Sequence, residues 1–242
     1  KEYLAQAGKI IDLKKTETRR NSEWLSKNVG NILELARSAT INQLSERSDF
    51  RDRIQKGQSV SFLEALYALF QGFDSVNIKA DVEIGGNDQL LNLLMGRQVQ
   101  RHFGQKEQDI LTIPLLVGTD GSKKMSKSES NYISLRDSAE NMFGKLMSIS
   151  DKAVFQYFEL CTDTDKARIA KLKSKFKGAQ KKNVKMELAN EIVSMYHGNK
   201  AAALAKDGFE KVFGKKEAPA KIQTKTLPKP SYSLLDLLTV TN

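Results

Sequence analysis

The stretch Ile110-Leu111-Thr112-Ile113-Pro114-Leu115-Leu116-Val117-Gly118-Thr119-Asp120-Gly121-Ser122-Lys123-Lys124-Met125-Ser126-Lys127-Ser128-Glu129-Ser130-Asn131 decides how this chain reads. Its opening apolar run predicts a buried strand. The strand empties into a glycine-rich loop that carries Lys123, Lys124 and Lys127. Such a loop offers backbone N–H groups and mobile ammonium groups to a phosphate. Lysine, a point charge with three donors, suits a pyrophosphate that must be gripped and then released. The competing reading is a solvated basic surface loop, the usual fate of a Lys/Ser run.

Upstream, residues 78–84 alternate as a strand would and run into Gly85-Gly86-Asn87-Asp88-Gln89, then into a helix over residues 90–98. Strand, glycine turn, helix, strand is the grammar of a parallel α/β sheet, whose ligands sit at the C-terminal strand ends. Earlier still, residues 10–13 read as helix or strand, residues 21–25 as a cap with a short helix, and residues 33–50 and 59–73 as helical. In the last of these, Phe62, Leu63, Leu66, Leu69, Phe70 and Phe73 would cover most of the surface. Tyr67, Gln71 and Asp74 share one face of the same helix, at i, i+4 and i+7. Polar groups on a largely buried helix are costly unless met by a ligand or by neighbouring backbone, and both readings stay open here. The Gly85-Gly86 turn puts the Asp88 carboxylate and the Gln89 amide at a strand end, where glycine permits close approach.

Beyond Ser138 the pattern is helical throughout: residues 139–149, 152–161, 166–176, 184–196 and 200–213. The expected organisation is therefore an α/β domain over residues 1–136 and an all-helical domain over 137–214. A polar, proline-bearing linker follows over 215–230, and the start of a further domain over 231–242. The single cysteine, Cys161, excludes a disulfide framework, and two distant histidines argue against a metal site. No apolar run approaches the roughly 20 residues of a membrane helix and no signal peptide is present, so a cytoplasmic chain is expected. Lys and Arg number 39 against 29 Asp and Glu, a formal +10, which suits a polyanionic partner. Lys166, Arg168, Lys171, Lys173, Lys175, Lys177, Lys181, Lys182 and Lys185 run without an acidic residue between Asp165 and Glu187. They form either an RNA-facing flank or a solvated helix face.

Lys124-Met125-Ser126-Lys127-Ser128 resembles the second signature of the class I aminoacyl-tRNA synthetases. The wider chain resembles the bacterial tyrosyl-tRNA synthetases within that class. The resemblance is carried by Asn21-Ser22-Glu23-Trp24-Leu25, by Tyr67-Ala68-Leu69-Phe70-Gln71-Gly72-Phe73-Asp74-Ser75-Val76 and by Ala80-Asp81-Val82-Glu83-Ile84-Gly85-Gly86-Asn87-Asp88-Gln89. Asn92-Leu93-Leu94-Met95-Gly96-Arg97 and Pro114-Leu115-Leu116-Val117-Gly118-Thr119-Asp120-Gly121 extend it. It implies a Rossmann-like catalytic domain, with an insertion forming a dimer interface near Phe62, then a tRNA-facing helical domain and an S4-like RNA-binding domain. It implies that Tyr67 and Gln71 hold the α-amino group of L-tyrosine, Asp74 its phenol and Gln89 its carboxylate. Asp88 would bind the ATP ribose beside Gly86. Lys124, Met125, Ser126, Lys127 and Ser128 would bind ATP, with Lys124 and Lys127 gripping the triphosphate during catalysis. Mg2+ would accompany ATP, no metal would be held by the protein itself, and tRNA(Tyr) and a second copy of the chain would be the partners.

The chain departs from the family in one large respect. The first class I signature, His-x-Gly-His, is missing: His102 stands in Arg101-His102-Phe103-Gly104 and His197 in Tyr196-His197-Gly198. Asn87 stands where the family more often has Ser or Thr. Both ends look truncated, so the expectation is a synthetase fragment with little activation activity of its own. The rival readings are a tryptophanyl-tRNA synthetase, which shares the fold and a comparable lysine loop, and a non-catalytic RNA-binding relative.

Overall fold

The computed structural model describes residues 2–26, 29–45 and 48–214, so the expected linker and the start of a further domain lie outside the described residues. The chain divides into two compact units, one ending at Leu116 and the other beginning at Val117. The division falls inside the span expected for the α/β domain. Its cause is local: Val117 belongs to the helical unit, since its carbonyl accepts from the Tyr157 hydroxyl at 2.7 Å and its N–H donates to Gln156.

In the first unit, α1 (Glu2–Ala7), α2 (Ser22–Leu25), α3 (Val29–Ala36), α4 (Ile41–Ser45) and α5 (Ser48–Gln55) precede the long helix α6 (Phe62–Ile78). Residues 10–13 belong to no helix or strand, and the helix expected over 33–50 is broken at residues 37–40. Helix α6 begins at a capping box, with Ser61 accepting from Leu63 N–H and Glu64 reaching back to the Ser61 amide. It runs beyond the expected end at Phe73, because nothing in Asp74-Ser75-Val76-Asn77 breaks a helix. Lys79, at φ 53°, closes it in a left-handed turn, with Lys79 N–H on Val76 O and Ala80 N–H on Ser75 O. The strand expected over 78–84 is displaced accordingly: β1 is Val82–Gly86, followed by a 3-10 turn Asn87–Gln89, α7 (Leu90–His102) and β2 (Asp109–Ile113).

The strands pair in parallel, with Val82 opposite Asp109 and Ile84 opposite Leu111. Parallel sheets normally have both faces covered. Here one face is open: Ile84 is 65% exposed and Leu111 53%, so the apolar run expected to be a buried strand is half in water. The other face carries Glu83 and Gly85 toward α7, with Gly85 packed against Leu93. Helices α6 and α7 bury Leu69, Phe73, Val76 and Val99 against Trp24, Leu35 and Leu44. Phe62 and Leu63, expected to help cover α6, are 64% and 67% exposed. They lie in its first turn, outside that core.

A polar seam crosses this apolar packing. Glu83 Oε2 accepts from Ser75 Oγ at 2.8 Å and from Gln108 Nε2 at 2.5 Å. Gln100, also buried, accepts from Gln108 N–H at 2.8 Å and donates to Ala80 O at 2.9 Å. The seam needs a glycine beside it. A Cβ on Gly96 would lie 2.8 Å from Gln108 Nε2 and 3.1 Å from Ser75 Oγ.

The second unit is a lysine-bearing loop followed by α8 (Ala139–Ser148), α9 (Val154–Cys161), α10 (Lys166–Lys175), α11 (Gln180–His197), α12 (Asn199–Phe209) and a π-helical turn, Glu210–Gly214. Phe143, Leu146, Tyr157, Phe158, Leu188 and Val193 fill its core. Ser138 and Asp165 cap α8 and α10 by accepting the N–H groups of Asn141 and Arg168.

Gly96→Ala is expected to destabilise the chain by about 1–3 kcal/mol through overpacking against the seam. The midpoint of urea unfolding measures this, and a midpoint equal to wild type would refute the tight contact.

Candidate functional site

Six of the residues singled out in the sequence fall in the first unit. Tyr67, Gln71 and Asp74 stand on α6, with Tyr67 62% exposed and the other two half-buried. Asp74 Oδ1 accepts from the Trp24 indole N–H at 2.7 Å, and among the described residues Trp24 is its one hydrogen-bond partner. Trp24 is itself buried, and the Arg19 guanidinium lies 5.7 Å from the centre of its ring. Burial is the largest influence on Asp74 and raises its pKa. The Trp24 bond pulls the other way and the charge of Glu83 adds to the rise. Asp74 and Trp24 line an open groove of about 830 Å3 together with Arg19, Asn77 and Lys79, and neither Tyr67 nor Gln71 reaches it.

Gly86, Asp88 and Gln89 sit at the C-terminal end of β1 and in the turn after it. The space a side chain would need at Gly86 is taken by Asp88 Oδ1 at 2.7 Å and Leu115 Cδ2 at 2.8 Å. Asn92 Nδ2 donates to Gln89 Oε1 at 3.0 Å, which leaves the Gln89 amide group to act as a donor elsewhere. Glu83 ties the two sets of residues together. Its carboxylate binds Ser75 beside Asp74, and its own strand carries Gly86.

The other five residues, Lys124 to Ser128, fall in the second unit. Lys124, Lys127 and Ser128 are exposed, and Met125 and Ser126 half-buried. Val117 and Lys124 form an antiparallel bridge, and Gly118 N–H donates to Lys123 O at 2.8 Å. Lys123 is spent internally, paired with Glu129 at 2.5 Å. Asn131 and Asp120 hydrogen-bond across this segment. The Cys161 thiol is pushed up to about 11 by burial, which leaves no thiolate nucleophile near neutrality.

The basic run beyond Lys166 is partly neutralised. Arg168 pairs with Glu187, Lys173 with Glu159, and Lys181 and Lys185 with Asp151. Two of those three acids lie upstream of the run, where sequence spacing gave no hint of them. Trp24, Glu83, Asp120 and Asn131 were missed as site residues as well. For Trp24 the reason is physical: a hydrogen bond spanning 50 positions, as from Trp24 to Asp74, leaves no local pattern.

Residues 1–214 match the class I tRNA synthetases of the W and Y group, and the chain belongs to that family. Within it, the chain is 44% identical over 241 residues to the tyrosine–tRNA ligase of Thermotoga maritima, a match that covers 98% of this chain and 60% of that protein. With the tyrosine–tRNA ligase of Francisella tularensis it shares 45% identity over 222 residues, covering 91% of this chain and 56% of the relative. The chain thus spans about 60% of the length of the curated relatives it matches. Among the solved structures that share the fold are two tyrosyl-tRNA synthetases. The tyrosyl-tRNA synthetase of Archaeoglobus fulgidus complexed with L-tyrosine has a TM-score of 0.61 at 21% identity, with 85% of this chain and 72% of that one covered. The truncated mitochondrial enzyme of Aspergillus nidulans has a TM-score of 0.63 at 21% identity, with 80% and 57% covered.

A carboxylate with a raised pKa holds its proton more tightly folded than unfolded. Stability from Asp74 is therefore greatest below the ordinary carboxylate pKa and is lost as pH rises through its raised value. Asp74→Asn removes this dependence while keeping an acceptor for Trp24. The stability of wild type relative to Asp74→Asn is expected to fall in urea titrations as pH rises from below the ordinary carboxylate range and through the raised value. A difference that stays flat or rises would contradict the assignment.

Proposed function

We propose that this chain carries the amino-acid and triphosphate recognition of a tyrosine–tRNA ligase. That enzyme joins L-tyrosine to ATP as tyrosyl-adenylate with release of pyrophosphate, then transfers tyrosine to tRNA(Tyr). The observation that carries the reading is Asp74, a half-buried carboxylate held at one oxygen by Trp24, with the other oxygen left to accept a phenol. Phenylalanine would leave that acceptor unpaired, so it is rejected on desolvation alone. The names borne by the relatives favour tyrosine over tryptophan.

In this reading Tyr67 and Gln71, which stand on α6 outside the Asp74 groove, take the α-amino group. Gln89, its Oε1 already engaged by Asn92, donates its amide hydrogens to the substrate carboxylate. Asp88 accepts from the ATP ribose beside Gly86. Lys124 and Lys127 draw charge onto the β- and γ-phosphates while the tyrosine carboxylate attacks the α-phosphorus, and Met125, Ser126 and Ser128 shape the loop around the nucleotide. The leaving pyrophosphate carries the electron pair of the broken P–O bond. No covalent enzyme intermediate or general base is needed, because positioning and charge stabilisation lower the barrier.

In this reading Mg2+ enters with the phosphates of ATP. The apolar face at Phe62 and Leu63 fits a homodimer contact, and Lys166, Lys171, Lys175, Lys177 and Lys182 fit a tRNA backbone. A cytoplasmic setting goes with these substrates. Among the described residues no helix is long and apolar enough to cross a membrane.

Isothermal titration with L-tyrosine, L-phenylalanine and L-tryptophan tests the reading. Tyrosine is expected to bind at least about tenfold more tightly than phenylalanine, and Asp74→Ala to erase the difference. Equal binding of phenylalanine would sink it. In ATP–pyrophosphate exchange the chain by itself is expected to turn over weakly, since its sequence holds no His-x-Gly-His.

A further inference from the structure

Asn131 is 4% exposed although it lies in a loop without regular structure. A buried amide is costly unless its groups are bonded, and here both ends are. Asn131 Oδ1 accepts from Ser126 N–H at 2.9 Å, and Nδ2 donates to Lys124 O at 3.1 Å. The side chain therefore spans residues 124–126 as a neighbouring strand would, pairing one carbonyl and one amide. Nδ2 also donates to Asp120 Oδ2. The other oxygen of Asp120 accepts from Ser122 N–H at 2.7 Å, Ser122 Oγ at 2.9 Å and Lys123 N–H at 2.8 Å. Thr119 N–H closes the ring on Asn131 O at 2.9 Å. A Cβ on Gly118 would collide with the Asn131 side chain, so glycine there is a condition of the arrangement.

A lysine loop that is loose before binding loses affinity to the cost of ordering it, whereas a tied loop has met that cost in folding. On the reading of Lys124 and Lys127 as the triphosphate grip, we propose that Asp120 and Asn131 are positioning residues. They form a latch that fixes the backbone from Lys123 to Ser126 before phosphate arrives, and touch no phosphate themselves. A bare carboxylate near a triphosphate would repel it, but both oxygens of Asp120 are turned onto donors of its own loop. Those donors, the Lys123 amide first, hold its pKa well below the ordinary range, so the latch keeps its charge at neutral pH.

The test uses the 242-residue chain and inorganic pyrophosphate. Trypsin cleavage after Lys123, Lys124 and Lys127, followed by mass spectrometry, measures loop opening, and isothermal titration measures pyrophosphate affinity. Asn131→Ala is expected to raise loop cleavage about tenfold and to weaken pyrophosphate about tenfold. Asp120→Ala, at an exposed position, moves both readouts in the same direction, and circular dichroism checks folding. If Asn131→Ala does not fold, Asp120→Ala carries the test.

Cleavage at the wild-type rate overturns the latch. So does faster cleavage with unchanged pyrophosphate affinity, which leaves a purely structural role. A Lys124→Ala/Lys127→Ala variant separates the two levels. If it binds pyrophosphate as wild type does, the grip reading falls and the positioning role with it. If it loses binding while Asp120→Ala and Asn131→Ala do not, the latch alone is removed.

Discussion

The first unit depends on one carboxylate. Glu83 leaves β1 on its covered face and accepts from Ser75 on α6 and from Gln108 just before β2. A polar side chain half-buried there is satisfied by donors from both sides. That pairing fixes how α6 lies along the sheet. It explains the glycine at position 96, where any side chain would push the donors apart. The register of α6 against β1 in turn decides where Asp74, one residue before Ser75, presents its carboxylate.

Much of this was written in the sequence. The parallel pairing of β1 and β2, the helix between them and the five helices of the second unit all follow from period and punctuation. The boundaries of α6 and β1 did not. Residues 78–84 alternate as a strand does, yet the helix continues to Ile78 and the left-handed turn at Lys79 displaces the strand. Lys79 takes a conformation usually left to glycine, and nothing in a lysine codes for that. The apolar run that opens at Ile110 predicts a buried strand, yet Leu111 and Ile113 of β2 are about half exposed. Ile84 and Leu111 are side chains suited to burial, and both stand on the open face of the sheet.

The candidate site shows the same split. Which residue types stand in order along the chain was legible. Their partners were not, because Trp24 with Asp74 and Asp151 with Lys181 and Lys185 are separated by tens of residues. The basic run illustrates the cost of reading charge in one dimension. Along the chain the positive run is uninterrupted, but folding brings Asp151 and Glu159 across to it and Glu187 back onto Arg168. The positive surface left is narrower than the run suggests.

The bond between Trp24 and Asp74 has one more consequence. Trp24 is the single tryptophan of the chain, so all indole emission comes from a ring whose N–H is held by the carboxylate proposed to meet the substrate phenol. Indole fluorescence responds to the partner of that N–H and to nearby charge. The molecule thus carries its own optical probe beside Asp74, with no competing signal from another tryptophan and no label to attach.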